Sequence, residues 1–355
     1  MVTETSRISV DALWQFTSDV MVGFGVKREE ADQVADVLIA SDVQGIDSHG
    51  VPRMKMYTDR LRDGLVNTDP KMTVITETPA TLALDADNGM GHPASIEAMK
   101  RCIAKAKDIG LCMTTVRNSN HFGIAGYYAA MALEDGLCGV AMTNATPLVV
   151  PTGARHAYLS TAPIAAAIPA GKEKPILLDA ATSTVAWGKI EIAQRSNKPI
   201  PAGWAVDKDG NITTNPHEAV ALTPLGGTRE TSGQKGYGLG LFIEMLCGQL
   251  ASGPWGRYVK GSRDEVPGPT QTGHAFMAWR IDAFAREEDF KDGIDQMIQE
   301  LRAMETLDGV DRVLIPGEPE YEAEADRRAN GIPVHPVVVE QIREIGREVG
   351  VEAPF

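Results

Sequence analysis

The sequence predicts an α/β protein in which helices from both chain ends enclose a strand-rich middle. Three observations carry that prediction. Residues 9 to 64 set apolar side chains at helical spacing between capping and terminating residues. From about residue 72 the pattern shortens to strand-like runs bounded by Gly, Pro, Asn and Asp. Helical periodicity returns in DFKDGIDQMIQELRAME and again in HPVVVEQIREIGREVG. The expected division is a helical part over 1–72, a mixed α/β cofactor- and substrate-binding region over 73–308, and a return to the helical part over 309–355.

In chain order, Ser9 and Asp11 can cap the first helix. The second runs from about Lys27 to Gln44, with Ala31, Val34, Ala35, Leu38 and Ile39 on one face and Gly45 at its end. Pro52 suits the first turn of a third helix, whose inner face is Met54, Tyr57 and Leu61 and which Gly64 ends. TVITE, TLALDA, CMTTVR, GVAMTN, AAAIPA, PILLDA and, later, HAFMAWRI read as strands. A helix from about Pro93 to Asp108 and another near 125–135 lie between them. Residues 195–235 are loop-rich, KGYGLGLFIEMLCGQLASG opens a glycine-dense helix, and 254–272 read as a Pro- and Gly-rich excursion or lid. No internal repeat is visible.

Composition narrows the function. The chain has 355 residues, 43% of them hydrophobic, which is enough for a real core. Its formal charge is -14 and no basic run offsets it, which argues against nucleic acid and anionic membrane as partners. A small anionic substrate needs only one local cationic pocket. Cys102, Cys112, Cys138 and Cys247 form no CxxC pair and no zinc half-site, and are expected to stay reduced thiols. MVTETSRISV has no signal-peptide pattern, and the most apolar window, LSTAPIAAAIPA, is short and broken by proline. A cytoplasmic protein without membrane partners is expected.

One stretch imitates a dinucleotide fingerprint. Residues 81–110 run strand, Gly89-x-Gly91-x-x-Ala94, helix. The next strand ends in Arg117-Asn118 instead of the acidic residue a Rossmann unit places there, and Asn88-Gly89 is an ordinary turn signal. The plain strand–turn–helix is the preferred reading. GQKGYGLG lacks the GxxxxGK[ST] pattern of a triphosphatase loop.

Two histidines sit in polar, glycine-rich settings. His49 lies in SHGVPR, with Ser48 before it and Arg53 four residues after it across a Pro-initiated helix start. His121 lies in RNSNHFGIAGYY, where Gly123 lets backbone approach whatever the ring touches. The plain alternative for both is a polar turn capping the next helix. A metal reading would take His49, His121 and Asp42 or Asp47 as ligands, without HxxxH or HxH spacing to support it. A hydrolase reading would need Ser48 as nucleophile, without GxSxG.

Taken together, SDVQGIDSHGVPRMKMY, NGMGHPASIEAM, RNSNHFGIAGYYAAMA, TNATPLVVPTGA, LLDAATSTVAWGKI, PLGG, QKGYGLGLFIEMLCGQLASG and IPGEPE resemble, in order and over nearly the whole chain, the malate/L-lactate dehydrogenase family. That family also holds ureidoglycolate, sulfolactate and diketogulonate oxidoreductases and a branch that reduces cyclic imino acids. The resemblance implies a non-Rossmann, mixed α/β cofactor domain with a helical domain built from both termini. It also implies a nicotinamide cofactor and a homodimer with its active site near the subunit contact. It puts His49 on the proton-transferring histidine, Ser48 on the hydroxyl that orients it, and Arg53 on the residue that holds the substrate carboxylate. His121 falls on a histidine that contacts cofactor in some members and acts as acid–base in others. His121, Phe122, Gly123, Ile124 and Ala125 match a cofactor loop, Asp179, Ala180 and Ala181 a second segment, Pro316, Gly317 and Glu318 a third, and Thr161 a substrate contact. The chain departs from the family at Ala162 and Ala145, where an asparagine and, in some members, a serine are usual, and at Lys189, where the imino-acid branch has an acid.

The chemistry suits those residue types. Hydride transfer to a 2-oxo acid builds charge on the carbonyl oxygen, which a positioned imidazole can protonate; in the oxidising direction the same ring is the base. A neighbouring hydroxyl fixes its pose, and a guanidinium fork grips a carboxylate. Backbone N–H groups of GIAGYY, and of the helix start at Lys235 and Gly236, can meet cofactor phosphates; close helix packing through small residues is the alternative for the second. Glu318, Glu320 and Glu322 would repel a 2′-phosphate, which favours NAD over NADP. Three activities follow as alternatives to hydroxy-acid oxidation: imino-acid reduction, a metal-dependent hydrolase or lyase using His49 and His121, and binding without turnover.

Overall fold

The computed structural model describes residues 6–261, 267–353 and 355. The chain ends meet in a two-stranded antiparallel pair, β1 (Ser6–Ile8) with β12 (Ile332–Val334). Between them come α1 (Val10–Gly23), α2 (Arg28–Val43) and, after a 3-10 turn over Val51–Arg53, α3 (Met54–Arg62). Ser9 holds the N-cap position of α1 without a side-chain cap bond, so Asp11 in the first turn is the group that answers the helix dipole. The predicted face of α2 is buried, and Gly45 ends that helix at φ 81°. Met54, Tyr57 and Leu61 face inward from α3. Their core also takes Ile8, Phe16 and Leu38 from the N-terminal side and Val339, Ile342 and Ile345 from α10 (Pro336–Glu348), so both ends build one helical unit.

The middle is a mixed sheet. Its strands are β2 (Thr73–Glu77), β3 (Thr81–Asp85), β4 (Leu111–Ser119), β5 (Cys138–Thr143), β6 (Ile164–Ile168), β7 (Ile176–Ala180) and β11 (Thr272–Trp279), in the order β2-β3-β4-β11-β5-β6-β7. Only β3 and β4 run parallel, joined by α4 (Gly91–Ile109); every other neighbouring pair is antiparallel. This is not the doubly wound parallel sheet of a Rossmann domain. Alternate residues feed two faces. Ala141, Phe276 and Ala278 pack with α4 and α5 (Ala125–Met131), whereas Met142 and Ala275 pack with Ile243 and Cys247 of α7 (Gly233–Cys247).

The imitation fingerprint is filled by the protein itself. A Cβ on Gly91 would lie 2.1 Å from the Asn120 carbonyl oxygen, and one on Gly89 2.7 Å from Pro70. These glycines let α4 start against the Asn120–His121 backbone, where a pyrophosphate would otherwise sit.

Two helices escape the sequence pattern. α6 (Trp187–Ser196) buries one residue, Ile190, and α9 (Glu318–Asn330) buries none, so neither carries an apolar stripe. Within the loop-rich zone, β8 (Ala205–Val206), β9 (Ile212–Thr213) and β10 (Ala221–Leu222) make a small sheet over a core of Val149, Leu159, Ile190 and Leu222. α8 (Glu287–Arg302) lies where predicted. Of the expected lid, residues 262–266 fall outside the described residues, and Gly256–Tyr258 form a 3-10 turn.

Candidate active site

The SHGVPR turn is held from beneath by a carboxylate. Asp42, on the last turn of α2, accepts a hydrogen bond from the Val51 N–H at 2.8 Å. It fills the space a Cβ on Gly50 would need, 1.8 Å away, so the glycine is obligatory there. Burial pushes the Asp42 carboxyl up to about 8. Arg327 of α9 donates to the Asp42 carbonyl at 2.5 Å and pairs with Asp47, so the helix the sequence hid braces the turn.

On this support the Ser48 hydroxyl reaches its neighbour's ring, with Oγ 2.8 Å from His49 Nδ1. The Arg53 Nε donates to the Ser48 carbonyl at 2.6 Å, which fixes the guanidinium over the same turn. Among the described residues Arg53 makes no surface ion pair: Asp47 pairs with Arg327, and Asp59 with Lys55 and Arg62. The start of α6 closes on this turn from the sheet side, a Cβ on Gly188 being 3.9 Å from Ser48 Cβ.

His121 arrives from the loop after β4. Its ring stacks on that of His49, with centroids 5.8 Å apart and planes at 19°. The Gly123 N–H donates to Nδ1 at 3.3 Å, and the Tyr57 hydroxyl lies 2.7 Å from the same nitrogen. Nδ1 is therefore the acceptor of both bonds, and Nε2 carries the ring proton. Tyr57 was read from the sequence as part of the core face of α3; its ring is core, but its hydroxyl serves the site. Desolvation, then the Arg53 charge, hold His49 down to about 4. Desolvation, with His49 and Arg53, holds His121 well below the usual imidazole range. Both rings are neutral near pH 7, beside a cation whose terminal nitrogens have no acceptor among the described residues.

Two further histidines lie close by. His92 sets its ring edge-on to Tyr57 at 4.9 Å and is fully buried. His274, on β11, bonds Thr143 Oγ1 through Nδ1 at 2.8 Å and Ser119 Oγ through Nε2 at 2.9 Å. Among the described residues no three His, Cys, Asp or Glu side chains converge as metal ligands.

The segments expected to hold cofactor converge on β7. Asp179, exposed on the edge strand β7, turns its carboxylate to the first turn of α5 and accepts the Gly126 N–H at 2.7 Å, which brings the end of the Phe122–Ala125 loop against the Asp179–Ala181 segment. Desolvation of the carboxyl against α5, then the charge of Glu320, pushes Asp179 up to about 6. Gly123, at φ 80°, gives the loop its turn. Phe122 is buried between Tyr128 and His274, and its carbonyl accepts a hydrogen bond from the Tyr128 hydroxyl. The Leu177 N–H donates to the Pro316 carbonyl at 3.0 Å, and Gly317, at φ 100°, lies against Leu177. Ala180 and Ala181 carry no side chain beyond Cβ and leave that edge of the sheet open.

Elsewhere the side chains are already engaged. The Glu318 carboxylate holds Arg302 and the Ile315 N–H, and Glu322 pairs with Arg312, which leaves Glu320 as the acid nearest Asp179. On α7, Gly236 packs against the Leu225 backbone, and the Gly233 and Lys235 N–H groups bond the preceding loop. Thr161 presents its carbonyl to the Thr182 N–H and hydroxyl. Ala162 is fully buried at φ 35°, a region asparagine tolerates better than alanine, so this departure alters a backbone turn and not an exposed amide.

Fold and site together define a class, the dehydrogenases of hydroxy acids that bind a nicotinamide cofactor outside a Rossmann fold. The chain belongs to the malate/L-lactate dehydrogenase family, whose model matches residues 8–343. It is 44% identical over 350 residues to a malate dehydrogenase of Pyrococcus horikoshii, covering 98% of this chain and 96% of the relative. The solved structure of malate dehydrogenase from that organism superposes with a TM-score of 0.91 at 42% identity, over 99% of this chain and 98% of the other. An L-sulfolactate dehydrogenase of Methanocaldococcus jannaschii is 38% identical, over 94% of each chain. A ureidoglycolate dehydrogenase (NAD(+)) of Escherichia coli O157:H7 is 33% identical, over 92% of each.

Proposed function

We propose that this protein transfers hydride between a nicotinamide cofactor and a small 2-hydroxy or 2-oxo carboxylic acid of the malate, lactate, sulfolactate or ureidoglycolate type. One observation carries the reading. Two neutral imidazoles, each held at Nδ1 by a hydroxyl, stack beside a guanidinium whose terminal nitrogens have no acceptor among the described residues. That arrangement offers a proton acceptor for the substrate hydroxyl and a fork for its carboxylate on one face. Arg53 grips the carboxylate, Thr161 meets the substrate from the sheet side, and His49 takes or gives the proton in the pose Ser48 sets. His121 contacts cofactor and is the second candidate for proton transfer. A carboxylate arriving at Arg53 offsets the charge that depresses His49 and raises its basicity.

The residues fit a dinucleotide. The Asp179 carboxyl, beside Glu320, suits ribose hydroxyls, and the loop from Phe122 to Ala125 and the turn at Pro316 and Gly317 offer backbone contacts. Glu318 supports that turn through Arg302, and Lys235 supplies a cation near Gly236 at the start of α7. The bound nicotinamide supplies or accepts the hydride. Glu320 with Asp179 favours NAD, with NADP as the alternative, because two acids repel a 2′-phosphate. Exposed Leu239, Phe242 and Met245 on α7, with Leu250 beyond it, form an apolar strip suited to a second copy in a homodimer. Cytoplasmic location agrees with four buried free thiols. Among the described residues no helix is long and apolar enough to cross a membrane.

A panel of 2-hydroxy and 2-oxo acids with NAD(H) and NADP(H), read at the nicotinamide absorbance, tests the proposal. Turnover of none of them refutes it. Light scattering on the same preparation tests the dimer.

A further inference from the structure

α3 carries a second guanidinium on the face that bears Tyr57. Arg60 lies three residues after Tyr57 and seven after Arg53, so the three side chains follow one another along the helix. One terminal nitrogen of Arg60 donates to the Gly268 carbonyl and to Thr270 Oγ1, each at 3.0 Å. Its Nε is buried with no acceptor, and no carboxylate pairs with it among the described residues. Arg60 and His121 line one cavity, whose wall mixes apolar Met90 and Phe122 with the amides of Asn120 and Asn144. A desolvated N–H without an acceptor is costly, and a charge-assisted bond to an anion is the strongest relief available to it.

Resting on the hydroxy-acid reading above, we infer that Arg60 binds a second anionic group of the substrate, so that the enzyme selects 2-hydroxy acids with a carboxylate or sulfonate at the far end. Arg53 then holds the carboxylate next to the reacting carbon, and Arg60 reads the distal one across the Tyr57–His121 pair. The competing role is positional. Thr270 donates to Asn120 Oδ1 at 2.8 Å, so Arg60 also touches the residue before His121 through one bridge. A positional role would act on every substrate alike; an anion site acts on the charged one.

The test compares kcat/KM for malate, with its second carboxylate, and for lactate, with a methyl group in that place. Wild type, Arg60→Gln and Arg60→Lys are measured, with circular dichroism melts alongside. Wild type is expected to favour malate. Arg60→Gln should lower the malate-to-lactate ratio by about tenfold to a hundredfold, and Arg60→Lys, which keeps the charge, by less. Equal losses for both acids, an unchanged ratio, or a wild-type preference for lactate would each overturn the assignment while leaving hydroxy-acid oxidation standing. Should Arg60→Gln not fold, the ratio in Arg60→Lys decides by the same criterion. A wild type that turns over none of the panel acids, sulfolactate and ureidoglycolate included, with either nicotinamide defeats the proposed function, and this assignment with it; one that turns over other panel acids but not malate or sulfolactate overturns this assignment alone.

Discussion

His121 and His274 approach Phe122 from two sides, and the protein treats them differently. His274 is fully buried, stacked on Phe122 at 4.7 Å, with a hydroxyl on each ring nitrogen. His121 has both of its bonds on Nδ1 and lines a cavity. His49 repeats the second pattern, with Ser48 on Nδ1. All three are held neutral by desolvation, so charge state does not separate them. The second nitrogen does. An imidazole with both nitrogens bonded inside the protein is a strut between β4, β5 and β11; one with a nitrogen to spare can exchange a proton with a substrate.

The largest expected effect falls on His49. His49→Ala should lower turnover by roughly 10² to 10⁴, the usual worth of a positioned acid–base group, with cofactor affinity nearly kept. Turnover and cofactor binding measured on one preparation check it, and near-normal turnover would transfer the proton step to His121. Arg53→Lys keeps the charge and loses the fork, so kcat/KM should fall by roughly tenfold to a few hundredfold. The loss should shrink with an amide analogue of the substrate; an equal loss for acid and amide would remove the anchor role.

Smaller changes sharpen the contrast between the two kinds of histidine. Tyr57→Phe removes one hydroxyl from His121 Nδ1, and a single hydrogen bond of about 0.5–1.5 kcal/mol corresponds to roughly a two- to tenfold loss in kcat with little change in melting. His274→Leu should do the reverse. It strands Thr143 and Ser119 and should cost about 1–3 kcal/mol of stability, while the folded fraction keeps its kinetics. A kinetic defect in His274→Leu at full folding would erase the distinction.

The smallest effect is on stability against pH. Folded His274 and His92 are held near 3 and His49 near 4, against 6.5 in the unfolded chain. As pH falls from 6.5 the unfolded chain takes up protons first, so their share of stability is lost between about 6.5 and 3. Asp42 acts in the opposite sense: near 8 folded against 3.8 unfolded, its share is full below 3.8 and is lost as pH rises to about 8. Between about pH 6.5 and 8 the Asp42 share declines alone among these groups, and Asp42→Asn should flatten that decline in thermal melts. An unchanged slope would mean that Asp42 is ionised in the folded protein.

What the sequence settled by itself was whatever lies within a turn or two along the chain. Ser48, His49 and Arg53 share six residues, so their meeting follows from local geometry once Pro52 starts the next turn. The apolar faces of α1, α2 and α10 showed because burial on one side leaves a period in the sequence. α6 and α9 bury too little to leave one, and so the brace Arg327 puts on Asp47 stayed hidden. Only the tertiary structure decided the rest. Tyr57 reaches His121 across 64 positions and Arg60 reaches Thr270 across 210, contacts that depend on how the helical unit seats on the sheet. Gly89-x-Gly91-x-x-Ala94 has the right letters for a phosphate loop, yet the Asn120 carbonyl fills its mouth. Local patterns record what one segment of chain prefers; which distant segment fills the space beside it is set by strand order and packing, and no short stretch of sequence carries that record.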